Sequence, residues 1–161
     1  MANATTLPVA FEHAFGSSTL RRLHGDTFTA SPWHKNLRSC SFELAMPAHV
    51  PSEIRRIFCG NRLRVSVRDR VTCDPKVISV RSKMRMHFVG SELFIVRPRY
   101  RLEPSPCGGV LLHAEVENHA LLPPPLCGMV EAFMDASARA QLLRFSRELL
   151  QPCGPTALVR G

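Results

Sequence analysis

The chain has 161 residues, of which 45% are apolar and 21% charged, as expected of one globular domain large enough to bury a core. Its formal charge of +8 rests on eighteen Arg against three Lys, which favours nucleic acid, acidic protein or an anionic lipid surface as partner, or simply keeps the domain soluble. No run approaches the ~18 uninterrupted apolar residues of a membrane span, and Met1 to Leu7 lack the basic and apolar regions of a secretory signal.

Val9, Phe11, His13 and Phe15 alternate with Ala10, Glu12 and Ala14, which predicts a strand. Gly16-Ser17-Ser18 offers an N-cap to a short helix from Thr19 to His24 that Gly25 ends. After a looser segment carrying Trp33, a second strand is expected from Leu37 to Met46, with Cys40, Phe42, Leu44 and Met46 on one face. Pro51-Ser52-Glu53 opens a second short helix through Phe58, stopped by Gly60-Asn61.

Four clearer strands follow. Arg62 to Val71 puts Leu63, Val65 and Val67 on one face and Arg62, Arg64, Arg68 and Arg70 on the other. Lys76 to Phe88 turns Ile78, Val80, Met84, Met86 and Phe88 inward and Arg81, Lys83, Arg85 and His87 outward. Glu92 to Leu102 turns Phe94, Val96, Tyr100 and Leu102 inward and Arg97, Arg99 and Arg101 outward. Val110 to Ala120 turns Val110, Leu112, Ala114 and Val116 inward and His113, Glu115, Glu117 and His119 outward. Such alternation means a sheet with one covered and one solvated face. Pro98 interrupts the pattern and demands a bulge or an edge. After Pro123-Pro124-Pro125 a long helix is expected from Leu126 to Leu150, with Leu126, Val130, Phe133 and Met134 on one face.

Few of these residues suggest chemistry. His113, Glu115, Glu117 and His119 share a face, but at about 3.3 Å per residue the two histidines stand roughly 20 Å apart, too far for one ion. With a hairpin centred near Ser105-Pro106, Arg97 is expected opposite Glu115, a favourable cross-strand pair. A turn at Val89-Gly90-Ser91 sets Arg81 opposite Arg99 and Lys83 opposite Arg97, an arrangement that splays into solvent or holds an anion. Cys40, Cys59, Cys73, Cys107, Cys127 and Cys153 include no C-x-x-C pair, so reduced thiols are expected rather than a zinc or redox site. No nucleophile elbow, H-E-x-x-H or phosphate-binding glycine loop occurs, and neither catalytic residues nor cofactor nor metal are expected.

The order of strand, short helices, antiparallel strands and long C-terminal helix resembles the START-like helix-grip superfamily. The segment from Met46-Pro47 through Pro51-Ser52-Glu53-Ile54-Arg55-Arg56-Ile57-Phe58-Cys59-Gly60 is similar to a turn of its PRELI-like lipid-binding branch. Val71-Thr72-Cys73-Asp74-Pro75-Lys76 resembles the turn that follows there, and Phe94-Ile95-Val96-Arg97-Pro98-Arg99-Tyr100 with the closing helix is similar to the VASt sterol-binding branch. The likeness covers roughly residues 8–150 and implies a hydrophobic cavity between sheet and helix that carries a lipid or sterol.

The expected architecture is therefore one α+β domain over residues 1–161: a curved antiparallel sheet of about six strands gripping a long C-terminal helix, with short helices after the first two strands. The expected function is binding, and possible transfer between membranes, of a lipid or other hydrophobic ligand. Its expected wall is Phe42, Leu44, Val65, Val67, Met84, Met86, Phe88, Phe94, Val96, Tyr100, Ala114 and Val116, roofed by Val130, Phe133 and Met134, with the Tyr100 hydroxyl as polar anchor. Arg81, Lys83, Arg85, Arg97, Arg99 and Arg101 are expected to face an anionic membrane. Exposed rings interleaved with those arginines, as single-stranded nucleic acid would need, are missing. Two alternatives stand beside this reading: a basic adaptor of a ribonucleoprotein or protein complex with a filled core, and a small cyclase- or hydratase-like enzyme on the same fold. A cytoplasmic or membrane-peripheral location is expected. Arg21 and Arg22 leave a mitochondrial presequence open, and Glu12 and Asp26 count against it.

Overall fold

The computed structural model describes residues 6–44, 63–88 and 91–121, with the single positions 52, 56, 127, 128, 131, 132, 139, 143, 159 and 160. Two helices, α1 (Leu7–Phe15) and α2 (Ser17–His24), precede a curved sheet of β1 (Thr29–Ala30), β2 (Leu37–Leu44), β3 (Leu63–Asp74), β4 (Val77–Phe88), β5 (Ser91–Pro104), β6 (Val110–Ala120) and β7 (Val159–Arg160). Spatial order equals chain order. Each strand from β1 to β5 pairs antiparallel with the next, and β7 lies parallel to β6. The class is α+β, as expected.

The first element is a correction: Leu7–Phe15 is a helix, not a strand. Apolar residues at 7, 10, 11, 14 and 15 follow a helical spacing that the shorter alternation of Val9, Phe11, His13 and Phe15 masks. A strand would have turned Val9 inward with Phe11 and Phe15, whereas Val9 is 60% exposed and Ala14 and Phe15 are buried. Pro8 near the helix start fits this outcome, since the first turn needs no amide donor there. Helix α2 ends as expected at Gly25, whose φ of +86° disfavours a side chain. Residues 51–58, expected to form a short helix, and the long helix of 126–150 lie largely outside the described residues. The isolated positions Ser52, Arg56, Cys127, Gly128, Glu131, Ala132, Arg139 and Leu143 have helical backbone.

Strands β3 to β6 lie close to the expected spans, and β6 coincides with its expectation. Asp74 pairs with Val77, so only Pro75 and Lys76 link β3 to β4. The β5–β6 loop is centred one residue later than expected, with Pro104 opposite Val110. Arg97 therefore faces Glu117, and Glu115 faces Arg99, which corrects the expected Arg97–Glu115 pair. Arg81 stands opposite Arg99 as expected. Pro98 is in a central strand. It pairs with Val116 of β6, while pairing with β4 lapses between Arg81–Arg99 and Met84–Val96. The missing amide thus faces β4, and the strand tolerates it by skipping those positions.

The register sorts the inner face into cross-strand rows. Cys73, Ile78, Leu102 and Leu112 form one, and Val71, Val80, Tyr100 and Ala114 the next. Helix α1 covers these rows, burying Leu7, Ala14 and Phe15 against Val71, Ile78, Val80, Leu102, Val110 and Leu112. Phe15 meets the edge of the Tyr100 ring at 5.2 Å between centroids. Helix α2 is held to α1 by Thr19, whose Oγ1 donates to the His13 carbonyl at 2.6 Å. It reaches β2 through His24, stacked on Phe42 at 3.9 Å.

Burying one such side chain stabilises by about 1.5–3 kcal/mol. Leu112 is 2% exposed and Leu37 is 48% exposed. Leu112→Ala is expected to cost about 2–5 kcal/mol in urea denaturation, and Leu37→Ala to change stability by no more than about 0.5 kcal/mol.

Candidate functional site

Next to the rows under α1 runs one of different chemistry. Arg38 faces Asp69, and Asp69 faces Ser82. All three side chains point to the inner face, and Arg38 is 3% and Asp69 5% exposed. Arg38 donates to Asp69 Oδ2 from Nε at 3.3 Å and from Nη2 at 3.0 Å. Ser82 Oγ donates to Asp69 Oδ1 at 2.6 Å, a short charge-assisted bond. The Cys40 thiol lies 3.8 Å from Asp69 Oδ2. The remaining guanidinium nitrogen, Nη1, donates at 2.6 Å to the carbonyl of Phe15, the last residue of α1. The Trp33 ring covers the same guanidinium, its centroid 4.3 Å from Cζ, and a desolvated cation over an indole adds attraction. Both charges are thus paired and hydrogen-bonded, the condition under which burial is tolerated.

This network changes its neighbours. Desolvation is the main reason that the Cys40 thiol is pushed from its ordinary 9.0 up to about 11. Arg38 works against that shift and the Asp69 charge adds to it. Desolvation, with Asp69 a lesser cause, also raises the Tyr100 phenol well above its ordinary value. Neither group is activated as a nucleophile or a base near neutral pH.

Beyond the charged row the inner face becomes apolar again. Cys40, Val67, Met84, Val96 and Asn118 form one row, and Phe42, Val65, Met86 and Phe94 the next. Val65, Val67, Met86, Phe94, Val96 and Phe42 are all buried, outside the cluster that packs on α1. The expected wall residues therefore divide. Phe42, Val65, Val67, Met84, Met86, Phe94 and Val96 share this floor, whereas Tyr100 and Ala114 lie in the row under α1 and Val116 is level with Pro98. The side chains of Leu44 and Phe88, and all of Val130, Phe133 and Met134, lie outside the described residues.

The outer face carries Arg81, Lys83, Arg85, Arg97, Arg99 and Arg101, as expected. Arg99 pairs with Glu117 at 3.0 Å, Arg101 with Glu103 at 3.1 Å, and Arg85 with Glu92 at 3.8 Å. His113 bonds Glu103 at 2.8 Å, and among the described residues no group of three potential ligands could hold a metal ion. Cys40, Cys73, Cys107 and Cys127 are free thiols. No described helix is long and apolar enough to cross a membrane.

Arg38, Asp69 and Ser82 were absent from the expected site. The period of two was sufficient to find them, because each falls on the parity of its strand's buried residues: Arg38 with Cys40 and Phe42, Asp69 with Val67 and Val71, Ser82 with Val80 and Met86.

No protein-family model matches the chain. No curated protein sequence gives a significant match.

Removing one partner of a buried pair leaves the other charge uncompensated. Arg38→Met is expected to cost about 3–5 kcal/mol in urea denaturation, and Arg38→Met combined with Asp69→Leu to recover most of that loss. The raised Cys40 value has its own signature. The folded state keeps a proton that the unfolded chain releases near pH 9, so this stabilisation is complete below pH 9 and lost as pH rises through about 11. Cys40→Ala should flatten the fall of unfolding free energy across that interval, as measured by denaturation at stepped pH.

Proposed function

We propose that the protein is a non-catalytic binding module that holds an amphipathic, lipid-like ligand on the inner face of its sheet. The observation that carries this reading is the floor of Val65, Val67, Met86, Phe94 and Val96, apolar, separate from the α1 cluster and bounded by the Arg38–Asp69–Ser82 row. Apolar walls with a few placed polar groups are what such a ligand requires. Each methylene buried there would contribute about 0.8 kcal/mol. Met84 and Met86 add side chains that adapt to varied apolar shapes. In this reading the domain is a START-like helix grip, with Val130, Phe133 and Met134 of the long C-terminal helix as its roof. A soluble or membrane-peripheral location would suit such a carrier.

Two features favour binding over catalysis. Asp69, the buried carboxylate among the described residues, already engages Arg38, Ser82 and Cys40. The Cys40 thiol is shifted away from reactivity.

Native mass spectrometry of the purified chain tests the proposal, before and after incubation with phosphatidylcholine vesicles, with denaturing extraction of whatever travels with it. About one lipid or sterol per chain is the expected outcome. A bare mass in both states would mean a filled core and would overturn the reading.

A further inference from the structure

The outer face of the sheet holds a cluster of cations that its own side chains neutralise only in part. Arg70, Arg81 and Arg99 stand directly opposite one another across β3, β4 and β5. Arg68 faces Lys83 in the adjacent row, two residues along β3 and β4, and Arg97 lies two residues from Arg99 on β5. Neighbouring strands are about 4.8 Å apart, so these cations crowd a patch three strands wide. Like charges directly opposite destabilise a sheet. Of these residues Arg99 alone has an acidic partner within 4.0 Å among the described residues, namely Glu117. Arg68, Arg70, Arg81 and Arg97 are exposed. Helices α1 and α2 pack on the opposite face.

We infer that this face docks on an anionic phospholipid bilayer through Arg68, Arg70, Arg81, Lys83 and Arg97. Charge complementarity selects a polyanion, and guanidinium forks suit phosphate and carboxylate groups. The shape of the patch selects among polyanions. It spreads over three strands and two rows and does not follow a line. It is bordered on the outer face by Leu37, Ser66, Ser79, Arg85, Glu115 and Glu117, so it has no indole or phenyl ring to stack a nucleobase. Laterally mobile headgroups can arrange themselves beneath such a grid. The inference goes beyond the ligand reading and holds whether or not the inner face carries a ligand.

Sedimentation of the full chain with vesicles tests it. Binding is expected to vesicles of phosphatidylcholine mixed with phosphatidylserine and not to phosphatidylcholine alone, and it should weaken steeply with added salt. Each cation removed should lower the partition coefficient about fivefold, so Arg70→Gln with Arg81→Gln should lower it about twenty-five-fold. These residues are exposed and like-charged, so the double variant should melt no lower than the parent. Arg21→Gln with Arg22→Gln, on exposed positions of α2, should bind as the parent does. Equal binding to both vesicle types, or undiminished binding by the Arg70/Arg81 variant, would overturn the assignment. Retention on RNA at a salt concentration that releases the chain from mixed vesicles would overturn it in favour of nucleic acid.

Discussion

The buried pair of Arg38 and Asp69 is the constraint on which the described part of the fold depends. A carboxylate at the centre of an otherwise apolar sheet face is costly unless its oxygens are occupied. Asp69 meets that condition with three donors from β2 and β4. The arginine that neutralises it also captures the end of α1 through the Phe15 carbonyl. One guanidinium thus sets the approach of the helix to the sheet, fixes Trp33 and holds β2 to β3 beyond their backbone ladder. A purely apolar contact would leave α1 freer to slide, because hydrophobic attraction has no direction.

The same row partitions the inner face. On one side, α1 fills the space over Val71, Val80, Ile78, Leu102 and Leu112. On the other, the floor of Val65, Val67, Met86, Phe94 and Val96 is buried without taking part in that cluster. Two apolar regions divided by a satisfied charge pair are a different object from one continuous core. The division is the physical basis on which packing is read from the first and the proposed ligand site is placed on the second. The outer face contributes a third chemistry, and the strict alternation of the strands keeps it apart from the other two.

Much of this was legible in the chain. Strand β6 was located to the residue, since four apolar and four polar side chains alternate there between a glycine pair and a leucine-proline segment. The Arg81–Arg99 juxtaposition was expected from the sequence and is present. Two features were hidden for different reasons. In α1, Val9, Phe11, His13 and Phe15 satisfy a period of two while Leu7, Ala10, Phe11, Ala14 and Phe15 satisfy a helical one, and nine residues are too few for pattern to arbitrate. Packing decides, because among the described residues no strand pairs with this segment, whereas Ala14 and Phe15 bury against the sheet. The Arg38–Asp69–Ser82 row was hidden because charged side chains on a half-covered sheet ordinarily face solvent, although strand parity places all three inward. The one-residue displacement of the β5–β6 loop depends on Gly108 and Gly109, both at positive φ, which stretch the connection to five residues.

Because spatial order equals chain order from β1 to β6, every antiparallel contact in the sheet is made between segments adjacent in the sequence. Closing the β3–β4, β4–β5 and β5–β6 hairpins costs little loop entropy, least at the two-residue Pro75-Lys76 link. Chains with contacts of this kind sit toward the fast end for sheet proteins, since folding rates fall as the mean sequence separation of contacts rises. The meander can therefore zip outward from the β3–β4 hairpin. Helix α1 differs, for the side chain that captures its last carbonyl lies 23 residues away and is positioned only once β2 has joined β3. The topology thus favours an order of assembly in which the sheet leads and the N-terminal helix closes onto a surface already made.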